Sequence, residues 1–328
     1  MGKISNLVNR YLSDNRRFAD LFNGVYFNGH PVIRAEDLSE TSEVYYGITE
    51  AVAQTGKIDR QKKGKKYPAR RERTRDICKR LKTGETFRIL ALENQQMIDY
   101  TMPFRCMQYD VMEYGKQIDT LKNRNRQDKL LKTSAERICG VRKSDRITPI
   151  YTICLYHGVE VWDGPRTLQD MMNFEGTQDS FLKIFKDYPM HLYCVNESRD
   201  LQIFHTEIGI LFQALQYRND RVGLRNLILQ DDRCWHIDVD TLETMSVMLN
   251  LPSIWKEREK YMEKNEEKEE YNMCQAIKEW AEEERSIGFT ESRQIIVRNM
   301  LMRGMADADI MAIAECNQNF IDDIRVNL

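Results

Sequence analysis

The chain has 328 residues, of which 41% are apolar and 30% charged, with a net charge of -2. That balance describes a soluble globular protein with room for one large domain or a main domain and an appendage, and no apolar run approaches the roughly 20 residues that cross a bilayer. The stretch up to Asn23 lacks the apolar core of a signal peptide, which predicts residence in the cytoplasm, and eight cysteines without a CxxC pair, beside five scattered histidines, predict reduced packing thiols rather than structural zinc.

Residues 5–27 carry Leu7, Val8, Leu12, Phe18, Leu21, Phe22 and Val25 near helical period, which predicts a helix that Gly24 soon interrupts. Asp20 lies among apolar neighbours in this helix, either as a surface residue or as a functional acid facing inward. Pro31-Val32-Ile33, after the Asn28-Gly29 turn signal, reads as a short strand. From Lys57 to Lys82 there are thirteen Lys or Arg against three acids. This basic stretch, with Lys62, Lys63, Lys65, Lys66, Arg70 and Arg71, carries charge that would attract a polyanion such as nucleic acid, and a solvated loop or linker is the alternative reading.

The segment from Asp76 to Gln95 reads as a hairpin. Ile77–Lys82 and Thr86–Leu92 are extended-looking runs around Thr83-Gly84-Glu85, and a two-residue Gly84-Glu85 loop pairs Thr83 with Thr86. That register sets Asp76 opposite Glu93, with Gln95 on the same face two positions on. Opposed residues have Cβ atoms about 4.5–5.5 Å apart, so two carboxylates here repel unless a hard divalent cation lies between them. The other reading of the spacing is a pair of solvated polar residues on an open sheet face. Phe87, Ile89, Leu90 and Leu92 are expected in the core.

A helix is predicted to begin near Thr101-Met102-Pro103, with proline where a missing N–H is harmless. Phe104, Met107, Val111, Tyr114 and Ile118 mark its expected buried face. Arg105 and Tyr109, spaced i,i+4 on another face, are either a surface pair or reach phosphates. Leu121–Arg146 reads as a charged helical excursion or loop, Ile147–Tyr156 as a strand, Trp162–Pro165 as a turn before a short helix over Arg166–Met172, and His191–Val195 as another strand. From Phe204 to Leu249 the pattern is helical. Lys256–Arg285, with eleven acids against seven bases, fits one long exposed helix, and Arg293–Leu328 fits three short helices that either bind DNA or only pack and dimerise. These divisions suggest a core over 1–200, a helical extension over 201–255, and an acidic helix with a three-helix tail over 256–328.

Leu92-Glu93-Asn94-Gln95-Gln96, followed by Met102-Pro103-Phe104-Arg105 and Tyr109, resembles the motif core of the recombination-promoting nuclease or putative transposase family, within the PD-(D/E)XK nuclease superfamily. Arg17 to Gly24, Arg75-Asp76-Ile77, Trp162-Asp163-Gly164-Pro165 and the tail from Met302 agree with it in order. The resemblance implies an α/β fold, a mixed sheet flanked by helices with a restriction-endonuclease-like core, followed by a helical C-terminal region. It implies hydrolysis of DNA phosphodiesters at magnesium, or manganese, held by Asp76, Glu93 and the carbonyl of Asn94, with Asp20 contributed by the first helix. Gln95 stands where lysine is commoner, so it can orient a water but not carry charge. Arg75 and Arg105 are then the expected sources of positive charge at the phosphate. A nuclease-fold protein that binds nucleic acid or assembles, as a homodimer for example, without cutting is the alternative function.

Overall fold

The structure, a computed structural model, describes residues 3–41, 44–49, 69–84, 86–264 and 269–326. The chain divides into two compact units, 1–216 and 217–328. No helix among the described residues is long and apolar enough to cross a membrane.

The first unit opens with α1 (Lys3–Leu12) and α2 (Asn15–Phe27). These are two helices rather than one over 5–27, because Asp14 breaks the pattern and caps α2, accepting the N–H groups of Arg16 at 3.0 Å and Arg17 at 3.1 Å. Strands β1 (Leu38–Glu40), β2 (Val44–Thr49), β3 (Ala69–Thr74), β4 (Ile77–Thr83) and β5 (Thr86–Gln95) follow. Then come α3 (Met102–Gln127), α4 (Ser134–Cys139), β6 (Ile150–Tyr156), α5 (Asp179–Ile184), β7 (His191–Cys194) and α6 (Ile208–Gln216). Pro31-Val32-Ile33 is not a strand. The buried Asn23 amide takes the place of a partner strand there, donating to the Ile33 carbonyl at 2.8 Å and accepting the Ile33 N–H at 2.9 Å.

Five strands form one mixed sheet in the order β1-β4-β5-β6-β7, with β1, β4 and β5 antiparallel in turn and β5, β6 and β7 parallel. Strands β2 and β3 pair as a separate antiparallel ribbon that runs straight into Arg75-Asp76. Period-two alternation gives the sheet two chemically different faces. Ile77, Lys79, Leu81, Leu90, Leu92 and Ile153 share the face covered by α1 and α2, where Lys79 is buried over the Phe18 ring and paired with Glu40. Glu93, Thr152, Cys154 and Tyr156 share the other, where Cys154 and Tyr156 form a core with Met102 and Cys106 of α3 and with Trp162 and Cys194.

Two apolar assignments reverse. Phe87 is 42% exposed, with the Arg80 guanidinium 5.3 Å from its ring, instead of lying in the core. On α3 the predicted buried stripe is not the buried one: Phe104 is 43% and Val111 61% exposed, Met107, Tyr114 and Ile118 are half-buried, and the buried positions include Cys106, Tyr109, Asp110 and Glu113. Beneath α3 the sheet presents Arg75 and Thr152, and polar partners on the helix satisfy them better than an apolar face would.

Gly24 has a packing reason. A Cβ built there would come within 2.2 Å of the Phe204 ring, so the absent side chain lets α2 and the chain leading into α6 approach. Gly24→Ala is expected to destabilise the protein by roughly 1–3 kcal/mol through overpacking, read as a lower urea midpoint at unchanged slope.

The second unit comprises α7 (Arg221–Gln230), α8 (Val239–Met248), α9 (Pro252–Lys256), the hairpin β8 (Met262–Lys264) and β9 (Glu269–Tyr271), then α10 (Met273–Met302), α11 (Asp307–Ala314) and α12 (Gln318–Val326). The charged run over 256–285 is therefore not one helix. Tyr271 bridges back to Ile237, and Asn272 caps α10 by accepting the Gln275 N–H at 2.9 Å. The three-helix tail is formed by the end of α10 with α11 and α12 around Val297, Ile310, Ile321 and Ile324.

Candidate active site

The hairpin has the expected register. Thr83 pairs with Thr86, and the ladder closes with Ile77 paired to Leu92, so Asp76 and Glu93 are the next residues beyond its last pair. Gly84 makes the reversal possible with φ of +60°, a conformation that costs glycine least. Asp76 lies just before β4 begins, where the chain has left the ladder. Its carboxylate replaces the missing strand bond, accepting the Asn94 N–H at Oδ2 at 2.7 Å, while Oδ1 accepts the Asn9 amide of α1 at 3.1 Å. The Asn94 side chain in turn donates to Asn9 Oδ1 at 3.0 Å and to the Ser5 carbonyl at 3.4 Å.

Asn9 is thus the residue that sequence reasoning missed. It holds the first acid and the residue beside the second acid in one clamp. The only trace in the sequence is its place between the apolar positions Val8 and Leu12, on a turn that also carries Ser5.

Glu93 is 1% exposed. Burial, and next the charge of Asp76, push its carboxyl up to about 8, against the opposing pull of Arg75 and Arg105. Asp76 also lies above its ordinary value, because burial outweighs the hydrogen bonds from Asn94 and Asn9 and the attraction of Arg105. Each acid therefore sits where its charged form wants a further cation. Glu93 Oε1 is buried with no hydrogen-bond donor. Gln95, two residues on and half-buried, shares the Glu93 face, and its carbonyl accepts the His157 N–H at 3.0 Å on the β6 side. By alternation the backbone groups of Asn94 turn the other way, toward Asp76.

No family model, curated protein or solved structure matches this chain. The chemistry of the site is accordingly read from its own donors. Among the described residues no group of three or more His, Cys, Asp or Glu side chains is placed to hold a metal. A hard cation at this point would lean on the Asp76 and Glu93 carboxylates, the Asn94 carbonyl, and water or phosphate oxygens. The donorless Glu93 oxygen is the one feature of this set that leaves room for such a cation.

Arg105 stands at the mouth, with Nη1 2.6 Å from Asp99 Oδ2 and Nη2 3.8 Å from Glu93 Oε2. Cys106 and Cys154 lie close by, and burial, with the Glu93 charge among the further causes, pushes both thiols up, which keeps them protonated and poor as nucleophiles.

Three predicted site residues take other places. Asp20 does not face the pair: its carboxylate accepts the N–H of His205 at 3.0 Å, the N–H of Thr206 at 2.8 Å and the Thr206 hydroxyl at 2.6 Å, tying α2 to the chain that enters α6. Arg75 is 0% exposed and does not reach a phosphate. Its guanidinium donates to Thr152 Oγ1 at 2.9 Å, pairs with Asp110 and lies 5.4 Å from the Tyr109 ring. Tyr109 is buried with it rather than offered at the surface. Lys62, Lys63, Lys65 and Lys66 lie outside the described residues, and Arg70 and Arg71 fall on β3.

Proposed function

We propose that the chain is a metal-dependent phosphodiesterase that cuts DNA, with Asp76 and Glu93 holding magnesium or manganese. The observation that carries this reading is two carboxyls at the end of the hairpin, near enough that the charge of Asp76 acts on Glu93, with a buried Glu93 oxygen that lacks a donor. A bound divalent ion supplies a water of lowered pKa and neutralises charge on the phosphate. The chain's own residues do the rest. Asn9 and the Asn94 N–H fix the Asp76 carboxylate, Gln95 orients a water through hydrogen bonds without titrating, and Arg105 brings positive charge to the mouth. The β2–β3 ribbon, whose second strand reads Ala69-Arg70-Arg71-Glu72-Arg73-Thr74, leads directly to Asp76 and is the segment that would follow a phosphate backbone. A setting in recombination or mobile DNA is what the family resemblance adds.

The test is nicking of supercoiled plasmid by the full chain in magnesium and in EDTA. Asp76→Asn is expected to lower the magnesium-dependent rate by more than about a hundredfold, since even outer-shell partners of metal sites act on that scale. Equal nicking by the parent and Asp76→Asn proteins would remove the assignment.

A second reading is favoured by Gln95 and by the high pKa of Glu93: a nuclease-fold protein that binds DNA without cutting it. In that case binding survives loss of both acids and falls steeply with salt, as phosphate contacts release counterions.

A further inference from the structure

A cavity of about 600 Å³ lies at the other end of the same sheet, on the opposite face from Glu93. Its floor is Leu81 and Leu90, diagonal neighbours on β4 and β5; Phe22 and Tyr26 of α2 form one wall, and Ile33 and Tyr151 the others. The register explains why these side chains converge. Leu81 pairs with Arg88, and Leu90 pairs with Tyr151, so all four project from one face. Helix α2 ends at Phe27, and the chain that follows it brings Val32 and Ile33 to the cavity.

The cavity is built rather than left over. The Asn23 amide clamps both backbone groups of Ile33, which fixes one wall. The Tyr26 hydroxyl is donated to the Thr152 carbonyl at 3.1 Å, and its ring packs edge-on against His191 at 5.1 Å, so the ring is held in place and brings no free hydroxyl to the cavity. Among the described residues that line it, Arg88 is the one that always carries charge, beside the polar Thr83 and His191. Arg88 is half-buried, and among the described residues it has no carboxylate partner. A guanidinium that gives up part of its water beside an apolar cavity is completed by a planar, bidentate anion.

We propose that this cavity binds an apolar monocarboxylate, its hydrocarbon body on Leu81, Leu90 and Phe22 and its carboxylate on Arg88. The volume is that of a drug-sized ligand. Because the cavity is lined by neither Asp76 nor Glu93 nor any residue bonded to them, the proposal stands or falls separately from the nuclease reading.

Calorimetric titration of the full chain with sodium decanoate and with decan-1-ol, both below their aggregation limits, tests it. Decanoate is expected to bind saturably at one site, about ten- to hundredfold tighter than the alcohol, the scale of a hydrogen bond to a charged group. Arg88→Gln should erase that difference while leaving the alcohol unchanged. Val32→Trp, at an exposed position on the cavity rim, should weaken both ligands more than about tenfold without moving the melting temperature. Absence of saturable decanoate binding, equal affinity of parent and Arg88→Gln for decanoate, or unchanged binding to Val32→Trp would each overturn the proposal.

Discussion

Glu93→Gln is expected to make the protein more stable at alkaline pH and blind to magnesium. The folded state holds the Glu93 carboxyl at about 8, against an ordinary 4.5. Between those values the unfolded chain has released the proton that the folded chain still carries. Stability contributed by this group is therefore full below about pH 4.5, falls as pH rises toward 8, and levels off beyond. The raised Asp76 adds a slope of the same sign. Glutamine cannot ionise, so the variant should match the parent near pH 5 and exceed it above pH 8 by on the order of a few kcal/mol. On the proposed function, a divalent cation bound to the ionised pair would reverse the sign for the parent, stabilising the fold in proportion to the logarithm of its concentration. Thermal melts of both proteins across pH, in EDTA and in millimolar magnesium, read both effects. Parallel curves for parent and variant would show that Glu93 does not carry the stored charge.

Asp110→Ala should cost more than any other single change beneath α3, about 3–5 kcal/mol. Asp110 accepts from Arg75, from Thr152 at 3.0 Å and from the Tyr188 hydroxyl, so its removal leaves a fully buried guanidinium without its counterion and two donors with one acceptor fewer. The loss comes from the stranded charge more than from the pair itself. Arg75→Met combined with Asp110→Leu should thus recover a large part of it, and a double-mutant cycle in urea measures the coupling. Additive single losses would mean that the two side chains do not act as a pair.

The hairpin was legible because its turn chemistry and its strands point to one register, and a register fixes which side chains face each other. The network behind it was not. Arg75 precedes Asp76 in sequence and so suggested a phosphate contact, but its partner Asp110 lies 35 positions away and nothing local marks it as buried. For the same reason periodicity does not find the buried face of α3: it counts apolar residues, whereas this interface is settled by Asp110, Glu113 and Tyr109. Asp20 fits both a surface acid and an inward one by pattern, and only the approach of residues 205–206 decides its role. The break of the charged run at 272 has no local signal, because glutamate and lysine favour helix wherever tertiary bridges do not intervene.

The lengths of the strands have a consequence for self-association. The longest, β5, stands at the centre of the sheet, and the two rims are β1 with three residues and β7 with four. An edge that short offers few unpaired amides and carbonyls for a strand of another molecule to extend. The rims of the main sheet therefore offer another copy of this unit little backbone to pair with.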